Sequence, residues 1–332
     1  MPIHAVIPAE AGIQEPRDRL DSRFRGNDKL QRNTWMNTTA SIVNIPVISI
    51  TADCLPEAWE RAVLAVWDQG LEVRTEYDKP EDPPSKDATV MIAISDPFCE
   101  PRIHKNFPGG PEELESYRQE VVGGIHDHWI DPAAGKWTYT YHERLFSYCP
   151  VEDIRSVGSP KPFRAVDQIQ YMIDYLSRAG HSRRAQAITW MPTADPATDD
   201  PPCLQRIWCR LLENGAGELT LNMNTHWRSR DLYKAWFMNV YALTDLQRSI
   251  AEAIAQRRGE PVKVGRYVDI SDSLHIYGSY FDEVEPEIEK MRRSPYVERS
   301  WQSTHPAFEM MTAETREKLA QDPDWYAKAK GS

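Results

Sequence analysis

Chemistry can be built around Cys203. It follows Pro201 and Pro202, with Ser182-Arg183-Arg184 upstream and Arg228-Ser229-Arg230-Asp231 downstream. Arg206 lies nearby in the chain. The thiolate is the reactive form of cysteine, and neighbouring guanidinium groups lower a thiol pKa. Arginine also grips phosphate through two parallel hydrogen bonds, which lysine does poorly. These residues suit an anionic substrate held beside a nucleophilic sulfur, in a chain whose net charge is −11. Each motif alone has a plainer reading. A lone cysteine is commonly a small buried side chain, and an Arg-Arg pair a solvated face.

Order and spacing separate the two readings. The segments SRRAQAITW, PPC, RSRD, FMN and LHIY follow one another here, and in that order the chain resembles the thymidylate synthase family. Asp167-Gln168-Ile169, ahead of the helix leading to Arg183, adds to the resemblance. It runs from about Ala58 to Glu285 and is strongest from Asp167 to Tyr277. It implies an α/β enzyme with a mixed sheet flanked by helices, dimerising through the sheet. The implied reaction moves a one-carbon unit from methylenetetrahydrofolate to C5 of dUMP, giving dTMP, with no metal.

The resemblance also implies roles. Cys203 would add to pyrimidine C6, with Tyr141 close to it. Arg183, Arg184, Arg228 and Ser229 would hold the phosphate, the Arg-Arg pair crossing from the second subunit of a homodimer. Asn239 would read the base, because an amide can donate to uracil O4 and accept from N3–H. Members acting on cytosine carry Asp there, so Asn239 favours uracil. His275 and Tyr277 would bind the sugar 3′-hydroxyl, and Glu120 would act through water as general acid/base. Asp231 matches a pterin-binding Asp, whereas Arg230 takes no role from the family. A loop after the first helix usually supplies an arginine to the phosphate, and Lys79 is the nearest cation here.

Two departures bear on the product. Trp227 stands where most members have Gln, and the chain runs past Trp301 into TAETREKLAQD instead of a short apolar tail that closes over folate. Without closure, water can reach the exocyclic methylene before hydride does. 5-Hydroxymethylation of a pyrimidine nucleotide (dUMP, dCMP or CMP) is therefore the alternative. Divergent archaeal members, which use a modified pterin, look similar. A silent nucleotide-binding protein is a third reading, opposed by the intact Cys-Arg-Asn-His set.

The elements that must position these residues follow from local patterns. Pro56–Gly70 reads as a helix with Gly70 at its end, and Ala88–Ile94 as a strand. A helix from Pro111 to about Val122 places Glu112 and Glu113 at its positive end and Glu120 near its close. His126 and His128, two apart, do not share a helical face, so HDHW is no metal pair. Trp137–Tyr141 alternates aromatic and β-branched residues and reads as extended. Residues 150–163 form a loop, Val166–Arg178 an amphipathic helix stopped by Gly180, and Ala185–Trp190 a strand. LQRIWCRLL and ELTLNMNTHWRS form a hairpin around Asn-Gly-Ala-Gly, with a bulge near Trp208. Tyr233–Arg257 is a central helix, Val262–Ile270 a strand delivering His275, and Tyr280–Met291 a charged helix.

Composition bounds the rest. With 332 residues and 41 % hydrophobic content, a full core is available. Five cysteines, an odd number with no CxxC pair, suit a reducing cytoplasm. Acidic balance argues against sequence-independent nucleic-acid binding, and no run is long enough to span a membrane. Residues 1–35 show no sustained period and resemble translated bacterial repeat DNA, which makes Met36 the expected functional start; a flexible arm is the other reading. Residues 36–300 then form the catalytic domain and 301–332 a helical extension.

Overall fold

The computed structural model describes residues 43–149 and 164–330. The expected loop at 150–163 and the segment 1–35 lie outside the described residues. The first part of the fold comprises β1 (Val47–Ala52), α1 (Leu55–Gln69), β2 (Leu71–Val73), β3 (Ser85–Ile94), β4 (Ile103–His104) and α2 (Pro111–Gly123). Next come α3 (Tyr141–Phe146), α4 (Gln168–Arg178), β5 (Gln186–Ile188), β6 (Leu204–Glu213), β7 (Leu219–Trp227) and β8 (Arg230–Asp231). The remainder is α5 (Trp236–Arg258), β9 (Val262–Ile276), α6 (Phe281–Arg293), α7 (Tyr296–Arg299), β10 (Ser300–Trp301), α8 (Pro306–Gln321) and α9 (Trp325–Lys330).

One mixed sheet runs in the order β1-β3-β9-β7-β6-β5, with β2 on β3 and β8 on β9. The period-2 pattern of β7 buries Leu219, Leu221, Met223, Thr225 and Trp227 on one face. That face packs on α1 and α5. Most of α5 is buried through Ile254, including the polar Asn239, Thr244, Asp245 and Gln247, so it is the central helix. Each fully buried aliphatic side chain here contributes about 1.5–3 kcal/mol. Trp59 of α1 is fully buried, and its indole N–H donates to the Leu232 carbonyl at 3.0 Å, fixing the turn between β8 and α5.

The opposite sheet face is different. Val47 and Met91 are exposed, and Trp208, Arg210, Asn222, Asn224 and His226 are half-buried. None of the described helices covers this row.

Several expectations need correction. Tyr141 is not in an extended segment: Thr140 accepts the Glu143 N–H at 2.9 Å, caps α3, and makes Tyr141 its first residue. Asp167 caps α4 in the same way, so Val166 lies before the helix and pairs with Tyr148 instead. The hairpin irregularity falls between Leu204 and Arg206, not at Trp208. There Gln205 donates its side-chain amide to the Pro202 carbonyl at 2.8 Å, drawing the strand back toward Cys203. β9 extends to Ile276, beyond the expected end, because Asp87 and Lys86 of β3 continue the ladder opposite His275 and Ile276.

Candidate active site

The β6–β7 hairpin does the first assembly step. Its register sets Leu204 opposite Trp227, so the residues just outside the strands, Cys203 and Arg228, meet: the Arg228 N–H donates to the Cys203 carbonyl at 2.9 Å. The Arg228 guanidinium donates to the carbonyls of Pro202 (3.1 Å) and Pro201 (2.5 Å). The carbonyls of the two prolines thus hold the guanidinium in place. A buried two-point ion pair, Arg144 of α3 to Asp195, anchors the loop before Cys203 to the helix that carries Tyr141. The Tyr141 hydroxyl accepts the Leu204 N–H at 3.4 Å.

β8 and β9 do the second step. Asp231 pairs with His275 in register, and the Leu232 N–H donates to the His275 carbonyl at 2.8 Å. Gly278 permits the close approach that follows: a Cβ there would lie 1.8 Å from the Pro83 carbonyl oxygen. The third step is the packing of α2 on α5, where Asn239 donates its side-chain amide to the Tyr117 hydroxyl at 2.7 Å.

Cys203, Arg228, Ser229, Asn239, His275, Tyr277, Asp231 and Tyr141 therefore line one cavity of about 630 Å³. An adjoining cavity of about 600 Å³ shares Tyr117, Tyr141, Asp199 and Asp200 with it and is lined further by Trp137, Tyr139 and Glu120. Glu120 thus stands one cavity away from Cys203, not beside it. Arg183 and Arg184 line neither; both are exposed on the turn between α4 and β5. Trp208, on the uncovered sheet face, donates to the Arg183 carbonyl at 3.0 Å. Lys79 is absent from the lining, and the loop after α1 contributes Glu76 and Tyr77 instead.

Electrostatics correct one expectation. Burial pushes the Cys203 thiol above its ordinary range, with Asp200 adding to the rise, and Arg228 and Arg230 of the same chain do not offset it. Burial also raises Tyr141, Tyr117 and Asp231. Asp231 accepts the N–H groups of Tyr233 (2.8 Å) and Lys234 (3.0 Å), so one face of its carboxylate is committed to the backbone.

His275 is held as an acceptor. Ser273 donates to Asp87 at 2.9 Å, so its oxygen is left to accept from His275 Nδ1 at 3.4 Å. Nε2 is buried, without a hydrogen-bond partner among the described residues, and carries the lone pair suited to a hydroxyl donor. Burial lowers the ring to about 4, against about 6.5 in an unfolded chain. The unfolded chain binds the extra proton between those values, so this contribution, on the order of 3 kcal/mol in full, is present above about pH 6.5 and is lost as pH falls toward 4. Thermal unfolding of wild type minus that of His275→Gln is expected to show that loss between pH 6.5 and 4. A pH-independent difference would show that the ring is not held neutral.

Sequence reasoning missed Tyr117, Tyr77 and Asp87, and it gave Arg230 no role of its own. Tyr117 had a signal: it precedes Glu120 by three residues and shares its helical face. Arg230 lines the cavity floor, buried, paired with Asp269 and stacked 4.0 Å over Trp227. Its Nε and Nη1 have no hydrogen-bond partner among the described residues.

The family model described as thymidylate synthase matches residues 117–317. A protein of Methanococcoides burtonii named "Putative thymidylate synthase" is 26% identical over 236 residues, covering 71% of this chain and 92% of that protein. One of the same name from Methanosarcina acetivorans is 27% identical over 236 residues, with the same coverage of 71% and 92%. Among solved structures, the thermostable thymidylate synthase A of Bacillus subtilis matches with a TM-score of 0.50 and 19% identity, covering 71% of this chain and 84% of that one. That last likeness is one of fold.

Proposed function

The chain belongs to the thymidylate synthase family of one-carbon transferases, and from that premise we propose that it carries a one-carbon unit from methylenetetrahydrofolate to C5 of dUMP, giving dTMP. The observation that supports this most is the convergence of Cys203, Arg228, Asn239 and His275 on one cavity. C5 of uracil is a poor nucleophile. Addition of the Cys203 sulfur to C6 moves an electron pair onto O4 as an enolate; C5 attacks the electrophilic carbon and gives up its proton, tetrahydrofolate leaves and returns a hydride to the exocyclic methylene to become dihydrofolate, and the Cys203 sulfur is expelled from C6. Arg228 and Ser229 hold the phosphate, and His275 Nε2 and Tyr277 take the 3′-hydroxyl. Asn239 retains one N–H and its carbonyl for O4 and N3–H. The adjoining cavity, with Trp137 and Tyr139, fits a flat heterocycle, while Asp231 lines only the nucleotide cavity, beside His275. The uncovered sheet face is the surface through which two copies pair, bringing Arg183 and Arg184 to the opposite site.

One observation favours 5-hydroxymethylation as the second reading: no residue of α8 or α9 lines either cavity, and α9 instead lines a smaller neighbouring one with Tyr117 and Glu120. Mass spectrometry of the product from dUMP and methylenetetrahydrofolate decides between them, with dTMP expected and 5-hydroxymethyl-dUMP overturning the methyl reading.

Base choice is tested separately. Asn239→Asp is expected to weaken dUMP turnover and improve dCMP, because an ionised carboxylate accepts from a 4-amino group but cannot donate to O4. A mismatched hydrogen bond to a charged group costs about 1.5–3 kcal/mol, so the dUMP/dCMP preference should move by about tenfold or more. An unchanged ratio would show that Asn239 does not read the base.

A further inference from the structure

The HDHW motif has no part in the reaction as described, yet its first histidine bridges the site and the C-terminal segment. α2 ends at Gly124, whose left-handed conformation (φ +64°) lets its N–H close on the Glu120 carbonyl at 3.1 Å and folds the chain back over the last turn. His126 is thereby returned to Glu120, and its Nδ1 lies 2.8 Å from a Glu120 carboxylate oxygen. The other ring nitrogen, Nε2, lies 3.1 Å from the Pro323 carbonyl. Trp129 stacks on the ring at 3.8 Å between centroids. Trp129 and His128 both bond Asp324, at 2.7 and 2.8 Å, fastening the segment around Pro323 in place. His126 itself is 4% exposed.

These contacts fix where protons can be. A carbonyl oxygen only accepts, so Nε2 carries a proton. Nδ1 and the carboxylate then face each other as two acceptors unless one more proton lies between them. We propose that His126 is a positioning residue: pinned by the Pro323 carbonyl in its Nε2–H form, it keeps an exchangeable proton on the Glu120–His126 pair, ready for the cavity that Glu120 lines. The pair is neutral overall with that proton and carries one negative charge after giving it to a water in the cavity. The Nε2 proton stays where it is in both states. The C-terminal segment, which lines neither cavity, would thus act on the reaction through the tautomer of one histidine. This rests on Glu120 handling protons in the proposed reaction.

The test uses the full chain. His126→Gln keeps a donor for Pro323 and a partner for Glu120 but cannot carry the proton. Its kcat with dUMP and methylenetetrahydrofolate is expected to fall by about 100-fold, the scale of general acid–base catalysis. KM for dUMP should stay within about threefold, since no contact to the nucleotide is removed. The covalent adduct of Cys203 with 5-fluoro-dUMP and methylenetetrahydrofolate should still form. Nitrogen-15 NMR of the wild-type ring should show a protonated Nε2, and Asp324→Ala, which loosens the clasp, should let the ring sample both tautomers. An adduct with unchanged kcat in His126→Gln overturns this inference alone, as does a wild-type ring protonated only at Nδ1. A wild type that forms no adduct at Cys203 overturns the reading of the active site and the inference with it.

Discussion

Cys203→Ser is expected to keep nucleotide binding and lose turnover by about four orders of magnitude or more, since the hydroxyl is a far weaker nucleophile than the thiolate. Binding should survive because the contacts that aim Arg228 are made to backbone: the carbonyls of Pro201, Pro202 and Cys203. Exchanging sulfur for oxygen leaves all three in place. With 5-fluoro-dUMP and methylenetetrahydrofolate, wild type should form a covalent adduct that peptide mapping places on Cys203. Cys209 is the internal control. It lies six residues along on β6, fully buried on the covered face of the sheet, and burial holds its thiol far above the ordinary range. Substantial turnover in the serine variant, or an adduct on Cys209, would sink the assignment of Cys203.

Parts of this arrangement were legible in residue order because they depend on local periodicity. The alternation Leu219-Leu221-Met223 marks the buried face of β7, and the Asn-Gly-Ala-Gly turn fixes its pairing with β6. That pairing is what joins Cys203 to Arg228. Caps were harder to read: Thr140 and Asp167 each accept a backbone N–H three residues on, and these single bonds decide that Tyr141 starts a helix and that Val166 precedes one. The thiol was misjudged for a different reason. Sequence shows the arginines near Cys203 but not the burial that outweighs them. Tertiary partners such as Tyr117 for Asn239, or Pro323 for His126, lie 122 and 197 residues apart and leave no mark in local spacing.

Arg184→Ala and Cys203→Ser are each expected to be nearly inactive alone and to recover activity when mixed. The raised thiol supplies the motive. Within one chain, burial and Asp200 outweigh Arg228 and Arg230 at the Cys203 thiol, and added positive charge would lower it. Arg183 and Arg184 are exposed and line neither cavity of their own chain. Their turn is tied through the Arg183 carbonyl to Trp208 on the uncovered sheet face, the surface across which a second copy would lie. In a two-fold dimer each site would then combine Cys203 of one subunit with Arg184 of the other. After subunit exchange in an equal mixture, half the dimers are hybrids. Each hybrid has one site with both residues intact and one with neither, so about a quarter of wild-type activity should return. Native mass spectrometry checks that exchange has occurred. Exchange without recovery would place Arg184 in its own subunit's site or outside any site, and the thiol would have to find its activating charge within a single chain.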